Sequence, residues 1–457
     1  MARSLPQFDS RIIRINELLR AAGATDVLFV GGYVRDFVLG IPSKDEDLEI
    51  YGLSYSQILR ALQPYFRVSQ VGQSFSVLKV DNVVDLTIPR RERKTGTGHK
   101  AFDVQADPTM TFKEAAARRD FTINAIGMRL DGTFCDPYDG LGDLKRGVLR
   151  ATTEAFCEDP LRVLRGMQFA ARFGFTMDET TLQLCKCIRP EFSTLSPERL
   201  YMEWFKWAAK GAQPDLGLEV LRQTTWLECF PALAALVGVI QDPKAHPEGD
   251  AFEHTKATCK AAADIAVRYG LSENERVQLL FAALLHDVGK PETTTRYADG
   301  SIHAPGHAEK GEPLAWEFLW GLLAPNWLLY SVPVLVREHS YVCKVEPTPT
   351  VVRRFSTRLK PTNIRMWHYL ISADDEGRGR HSPDLLHDCE WLEMAKKLGV
   401  DEQPPQPLLL GRDLIARGLK PGTQFGEILR EAMEAQLDGA FTDREGACAW
   451  LDDRLNR

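Results

Sequence analysis

The stretch KDEDLEIYG, residues 44–52, sets Asp45, Glu46, Asp47 and Glu49 beside and among Leu48, Ile50 and Tyr51. Acidic runs ordinarily sit in solvated loops, yet this one reads as a strand. Side chains alternate faces along a strand, so Asp45 and Asp47 point the same way. Two carboxylates that close repel each other unless a cation lies between them. Magnesium takes such hard oxygen ligands and keeps its other positions for water and phosphate. Asp85, in the β-rich stretch NVVDLTI, is a candidate third carboxylate from a neighbouring strand. Three carboxylates suit a two-metal site, whose ions sit roughly 3.5–4 Å apart and clamp attacking and leaving oxygens. Just upstream, VGGYVRD predicts a strand, a tight Gly31–Gly32 turn and a helix N-terminus, whose backbone N–H groups cradle an anion. Arg35, one turn into that helix, can reach the same phosphates. Each signal alone has an ordinary reading: a solvated acidic run, a plain turn, a strand-end acid. Their succession over a short span argues for a nucleotide and its metals.

A second group is rich in histidine. Six of the ten histidines fall between residues 246 and 339: His246, His254, His286, His303, His307 and His339. LLFAALLHDVGKP puts His286 and Asp287 at the end of an apolar helix, FEHTKAT carries His254 and LISADDEGRGR carries Asp374. Imidazole together with carboxylate suits a transition metal better than magnesium. Such an ion lowers the pKa of bound water and makes hydroxide available near neutral pH. A buried histidine bonded to a carbonyl is the plain alternative, as is a surviving fold with an inactive site.

The elements that must position these residues change along the chain. Residues 27 to about 150 read as α/β: VLFV is a strand, YVRDFVLG a helix ended by Gly40, and SFSVLKV and NVVDLTI are β-rich. From about 151 the periodicity turns helical, as in DPLRVLRGMQFAARF. QDPKAHPEGD, 241–250, reads as a linker. Helical patterns return to about residue 395, and a tail opens with DEQPPQP. The expected division is 1–150, 151–240, 241–395 and 396–457.

At 457 residues the chain exceeds one ordinary core. Net charge is −7 and the sequence pI is about 5.9, so any nucleic-acid surface must be a local patch. Nine scattered cysteines without CxxC spacing, and no secretory signal, fit reduced thiols in cytoplasm. No stretch approaches the ~20 apolar residues of a membrane span.

LFVGGYVRDFVLG–IPSKDEDLE, RRERKTGTG, ARRDFTINAIG and EDPLRVLRGMQFAARFGF, in that order, together resemble class II tRNA nucleotidyltransferases. These are the CCA-adding enzymes and their bacterial poly(A) polymerase relatives. The resemblance implies an α+β chain: a polymerase β-like α/β head, then all-α neck, HD and tail domains. It implies that Asp45 and Asp47 hold magnesium with Asp85 as third carboxylate, and that a tRNA 3′ hydroxyl attacks the α-phosphate of CTP or ATP. Gly32 and Arg35 look like triphosphate contacts and Arg119 like a nucleotide contact, with Asp120 and Asn124 shaping the pocket.

On a helix, Asp159, Arg162 and Arg165 would share one face. Cytosine and adenine both pair an amino donor with a ring-nitrogen acceptor, which an aspartate and an arginine complement. Uracil and guanine reverse that polarity and leave both groups unpaired, at roughly 1–3 kcal/mol per buried group. The plain alternative is a salt bridge between Asp159 and Arg162. One departure stands out: the family commonly has RAxRF where this chain has RGMQF. Gly166 should cost the helix roughly 1 kcal/mol against alanine, and Gln168 replaces a basic residue.

The histidine group resembles the HD-domain metal phosphohydrolases often fused to bacterial members. The resemblance implies ligands His254, His286, Asp287 and Asp374, with a divalent transition metal such as Ni²⁺ or Mn²⁺. It also implies phosphatase and 2′,3′-cyclic phosphodiesterase activity. Asp375 and Glu376 crowd Asp374 and leave that choice open, while His307 and His339 suit a second metal or a phosphate. The expected partners are tRNA, CTP and ATP, with a homodimer allowed. Arg353, Arg354, Arg358, Lys360 and Arg365 form one basic, aromatic-flanked candidate RNA patch and RRERKTGTGHK another. Alternative functions are poly(A) polymerase, CC-only or A-only addition, and a phosphohydrolase with a nucleotide-sensing head.

Overall fold

The computed structural model describes residues 8–42, 46–71, 77–94, 102–341, 346–379 and 390–456. Asp45 and residues 95–100 of the basic loop therefore lie outside the described residues. The chain divides into two compact units, Met1–Cys229 and Phe230–Arg457. This is coarser than the four-part division read from the sequence.

The first unit is built on a seven-stranded mixed sheet. In chain order its strands and a neighbouring hairpin are β1 (Asp26–Val30), β2 (Asp47–Tyr51), β3 (Val68–Val71), β4 (Val77–Val80), β5 (Val84–Thr87), β6 (Arg90–Lys94), β7 (Phe102–Ala106), β8 (Gly127–Met128) and β9 (Phe134–Cys135). The sheet order is β3-β4-β5-β2-β1-β8-β9, and β6-β7 pair separately. β1 runs antiparallel to β2, and β2 parallel to β5. The VLFV of β1 is buried throughout, as are Leu48 and Ile50 of β2 and Val84 and Leu86 of β5. Alternation therefore leaves Asp47, Glu49 and Asp85 on the less buried side.

After the sheet the first unit is helical, apart from a short parallel pair of Val148–Leu149 with Thr176–Met177. Leu161–Phe173 is its central helix, capped by Gly174 in the left-handed conformation. Gly166 owes its presence to packing: a Cβ there would meet Met177 Cε at 2.6 Å and Phe121 Cζ at 3.1 Å. The local cost in helix propensity is offset by this close approach.

The second unit is helical apart from one short hairpin, among the described residues. Helices Ala251–Arg268, Glu273–Leu285, His307–Gly321, Asn326–Glu338 and Ile364–Gly377 pack around buried Leu279, Leu280, Phe281, Leu335, Val336 and Trp367. Two glycines permit close crossings. A Cβ at Gly377 would meet the Thr258 backbone within about 3 Å, and one at Gly289 would meet the His307 carbonyl oxygen at 2.1 Å. A smaller cluster around Leu414, Ile428, Phe441 and Leu451 closes the tail. Among the described residues no helix is long and apolar enough to cross a membrane.

Candidate functional sites: an arginine-lined cleft and a histidine–carboxylate centre

The strand–turn–helix read from VGGYVRD forms as expected. β1 ends at Val30, Gly31 turns with φ +68° and helix Gly32–Leu39 follows. Only glycine takes that φ without strain, and a Cβ there would also press on Arg119 Nη1 at 3.0 Å. Asp47 and Asp85 are direct partners across the parallel β2–β5 pair, so their side chains leave the same face of the sheet. Lys79 Nζ lies 3.5 Å from Asp85 Oδ1, a partial counter-charge. Two carboxylates side by side fit a divalent cation on this face.

Asp47, Gly31, Gly32, Arg35, Arg119, Asp159, Arg162 and Arg165 all line one cleft of about 590 Å³. Asp85 does not line it. Around the cleft nine basic side chains face three acidic ones, which makes it a receptor for a polyanion. Its cations are held by a buried chain of hydrogen bonds. Arg35 donates to Asn124 Oδ1 at 2.7 Å, Asn124 donates to Asp120 Oδ1 at 2.9 Å, and Arg165 donates to Asp120 Oδ2 at 2.6 Å. Burial alone would raise the Asp120 pKa, but Arg165 and Asn124 hold it below the usual carboxylate range. Arg35 also stacks on Phe169 and Phe173. Arg119 donates to the Asn124 carbonyl at 3.2 Å and reaches toward Glu49.

The expected helical face needs a correction. Asp159 is not helical: its φ of −128° and ψ of 105° place it before the helix that begins at Leu161. Pro160, which disfavours a helical residue before it, explains this. Asp159 nonetheless remains at the cleft with Arg162 and Arg165. Its salt bridge is to Arg199 at 2.8 Å rather than to Arg162, and it accepts the Leu161 N–H at 3.1 Å. Arg162 donates instead to the Ala155 and Arg118 carbonyls, each at 2.6 Å. Gln168, left out of the expected set, is buried and lines the same cleft.

In the second unit, His254, His286, Asp287 and Asp374 converge. His254 Nε2 lies 2.8 Å from Asp374 Oδ1, 3.2 Å from His286 Nε2 and 3.6 Å from Asp287 Oδ2; His286 Nε2 lies 3.1 Å from that last oxygen. Of the three neighbouring acids, Asp374 is the one that reaches His254, while Glu376 pairs with Arg268 and Asp375 lies near Arg378. His286 Nδ1 donates to the Ala283 carbonyl at 2.8 Å, which leaves Nε2 as a bare lone pair. Asp374 Oδ1 and Asp287 Oδ2 are buried and receive no aligned hydrogen bond among the described residues, despite these short approaches. Lone pairs and carboxylate oxygens turned on one another are what a metal site looks like from its ligands, so the donor set fits a transition-metal ion. Burial would raise the Asp287 pKa, but the positive charge beside it, that of Lys290 included, holds it well below the usual range.

The stretch 241–250 is not a plain linker. Glu248 Oε1 lies 2.7 Å from His254 Nδ1 and 2.8 Å from His246 Nδ1. Burial pushes the Glu248 carboxyl up, but its bonds to His254, its own backbone and His246 bring it to about 2. A carboxylate in this place fixes the orientation of the His254 ring, as carboxylates do behind imidazoles that bind metals. Gln241 and His246 line a cavity of about 600 Å³ together with Lys290, His303, His307, His339, Asp374 and Arg378. The only clue in the sequence was the H-P-E order in a stretch otherwise shaped like a loop.

The proposed basic patch is largely consumed by structure. Arg354 pairs with Glu434 and Asp438, Arg358 with Glu338, and Arg365 with Glu275 and Glu402, while Arg353 donates to the Leu437 carbonyl. The cleft cations that the sequence reading missed were Arg118, Arg172, Arg199, Lys206 and Lys210. The last three recur at helical spacing within Pro197–Lys210, a signal that was there to be read.

Residues 27–150 match the poly A polymerase head domain, and residues 251–322 match the HD domain. A multifunctional CCA protein of Nitrosococcus oceani is 33% identical over 428 residues, covering 92% of this chain and 100% of the relative. That of Vibrio parahaemolyticus is 40% identical over 364 residues, covering 77% and 86%. The chain belongs to the multifunctional CCA protein family. It is a nucleotidyltransferase of the CCA-adding kind joined to an HD domain. Among solved structures, a Bacillus stearothermophilus CCA-adding enzyme in complex with CTP aligns with TM-score 0.62 at 21% identity, covering 97% of both chains. A Thermotoga maritima CCA-adding enzyme complexed with tRNA aligns with TM-score 0.58 at 18% identity, covering 98% and 97%. These likenesses concern the fold.

Proposed function

We propose that the arginine-lined cleft adds C, C and A to the 3′ end of tRNA, taking CTP and ATP without a nucleic-acid template. The observation that carries this reading is the convergence on one cleft of the Gly31–Gly32 turn, Asp47, and the Asp159, Arg162 and Arg165 side chains. Asp45, Asp47 and Asp85 are the residues that would hold magnesium. When bound, the ions polarise the α-phosphate and stabilise charge on the attacking and leaving oxygens. The helix N-terminus after Gly31 and the guanidinium of Arg35 bind the triphosphate. Asp120, through Asn124 and Arg165, fixes the arginines before the nucleotide arrives, so that little ordering is left to the reaction. Asp159 and Arg162 or Arg165 accept from and donate to the pairing edge shared by cytosine and adenine. The cleft's excess of basic side chains, in a chain of net charge −7, concentrates the attraction for RNA where the chemistry occurs.

The second unit acts as a phosphohydrolase, with His254, His286, Asp287 and Asp374 as the ion's ligands. The ion, when bound, lowers the pKa of water so that it can attack a phosphoester near neutral pH. Lys290 and Arg378, at the wall of the adjoining cavity, offer positive charge to an anionic substrate. Phosphate monoesters and 2′,3′-cyclic phosphates at damaged RNA ends suit such a site, and their removal leaves the hydroxyl that addition requires.

The test is incubation with tRNA lacking its 3′ end, magnesium, and each nucleoside triphosphate alone or together. Products ending in CCA support the reading. Long A-tails, arrest at CC, or addition of A alone to a CC end would replace it.

A further inference from the structure

Glu49 has no part in the addition chemistry described so far, yet it stands one step along the sheet from the candidate metal carboxylates. In the parallel β2–β5 pair Asp47 is partnered with Asp85, and the next pair on that face is Glu49 with Thr87. The Glu49 side chain is 12% exposed, so its carboxylate needs partners. A carboxylate this near a metal face could serve as one more ligand, but its oxygen is already engaged. Glu49 Oε2 accepts the Tyr51 phenol at 2.6 Å and lies 3.5 Å from Arg119 Nη2. Burial, and then the charge of Glu49, raises the Tyr51 pKa, so the phenol stays a donor and fixes the carboxylate.

Arg119 is held through both terminal nitrogens. Nη1 donates to the Asn124 carbonyl at 3.2 Å and occupies the space beside Gly31, where a Cβ would come within 3.0 Å. Nη2 is the nitrogen directed at Glu49. Arg119 and Asp47 line both the 590 Å³ cleft and a neighbouring cavity of about 550 Å³. Gly31 and Arg35 line the cleft alone, and Glu49 lines the neighbouring cavity alone. The guanidinium is therefore shared by the two spaces, tied to the glycine-turn side by one nitrogen and to Glu49 by the other. An untethered arginine samples many rotamers, and a nucleotide would have to order it on binding.

We propose that Glu49 is a positioning residue for nucleotide binding: fixed by Tyr51, it presets the Arg119 guanidinium in the wall of the cleft. It acts through Arg119 and touches neither nucleotide nor ion. The inference rests on the nucleotide-binding reading of the cleft and adds a residue to it. The sign of the effect separates positioning from plain electrostatics. Removing a negative charge beside a site for a polyanion strengthens the attraction by Coulomb's law. Removing a tether weakens binding, because the ligand must then order Arg119 itself.

The experiment measures CTP and ATP binding to the full chain by calorimetry, with Ca²⁺ in place of Mg²⁺, and KM and kcat for addition to tRNA lacking its 3′ end. Glu49→Gln keeps an acceptor for the Tyr51 phenol and should leave the thermal unfolding midpoint unchanged. It should raise Kd and KM for both nucleotides about tenfold, with kcat within about twofold. In the Arg119→Ala background the same change should add no more than about twofold. Unchanged or tighter binding in Glu49→Gln, or an equal loss with and without Arg119, overturns the proposal. So does a higher Mg²⁺ requirement at unaltered nucleotide affinity, which would make Glu49 a metal ligand. If the unsubstituted chain binds CTP and ATP but extends no tRNA, the addition reading fails and the binding cycle still decides the role of Glu49. If it binds neither nucleotide, both fall.

Discussion

The arginine-lined cleft and the histidine–carboxylate centre solve opposite electrostatic problems. The cleft awaits an anion, and it keeps its central cations apart and ordered by giving them protein partners: Asn124 and Asp36 for Arg35, Asp120 for Arg165, two carbonyls for Arg162. The centre awaits a cation, and it orders acceptors that repel one another. Backbone carbonyls or Glu248 take the outer nitrogen of each ring, and the inner nitrogens are turned together. A site for an anion can be satisfied internally before its ligand arrives. A site of converging lone pairs is not satisfied in that way: Asp287 Oδ2 and Asp374 Oδ1 lack aligned donors among the described residues.

Separation of the two sites is the first point at which this contrast can be broken. Asp47→Ala should lower nucleotide addition by more than about 10³-fold, because several kcal/mol of charge stabilisation is lost. It should leave phosphoester hydrolysis unchanged. His286→Ala should do the converse. Loss of both activities in both variants, with the fold intact, would erase the distinction.

Substitution of the outer partners sharpens it. Glu248→Gln removes the charge behind His254 and should weaken metal affinity of the second unit about 10–100-fold by calorimetry. Addition of nucleotides should not change. Asp120→Asn removes a charge-assisted bond worth about 1.5–3 kcal/mol and frees Arg165. It should raise KM for CTP and ATP about 10–100-fold while leaving metal binding in the second unit alone. If Asp120→Asn changes only kcat, its role as an organiser of the resting cleft is wrong.

The smallest effect concerns the scaffold. Gly166→Ala gains roughly 1 kcal/mol of helix propensity and meets overpacking of about 1–3 kcal/mol against Met177 and Phe121. Net destabilisation of about 1 kcal/mol is expected from denaturant unfolding of the cleft-bearing unit. A clear stabilisation would show that the glycine is not there for packing.

What could be read in advance divides along physical lines. β1, the Gly31 turn, β2 and β5 were legible because alternation and turn chemistry are local properties of the backbone. The convergence of the Gly31–Gly32 turn, Asp47, Asp159, Arg162 and Arg165 was expected, though Asp159 reaches the cleft from an extended residue before the helix. Pro160 carried that information and the i, i+3 spacing concealed it. The stretch 241–250 looked like a linker because its prolines and charges are those of a loop, and nothing local shows that Glu248 will meet His254. Arg354, Arg358 and Arg365 looked like a free basic face because their partners Glu434, Asp438, Glu338, Glu275 and Glu402 lie far away in sequence.

Sequence alone thus determined the residue types, the elements that carry them and the order of the motifs. These follow from backbone sterics and hydrophobic periodicity, which act over a few residues. Tertiary structure decided which carboxylate stands opposite Asp47, which partner each arginine keeps, and which ring nitrogens face one another. Those are outcomes of packing between distant segments, where a contact of a few ångströms fixes charge, tautomer and ligand alike.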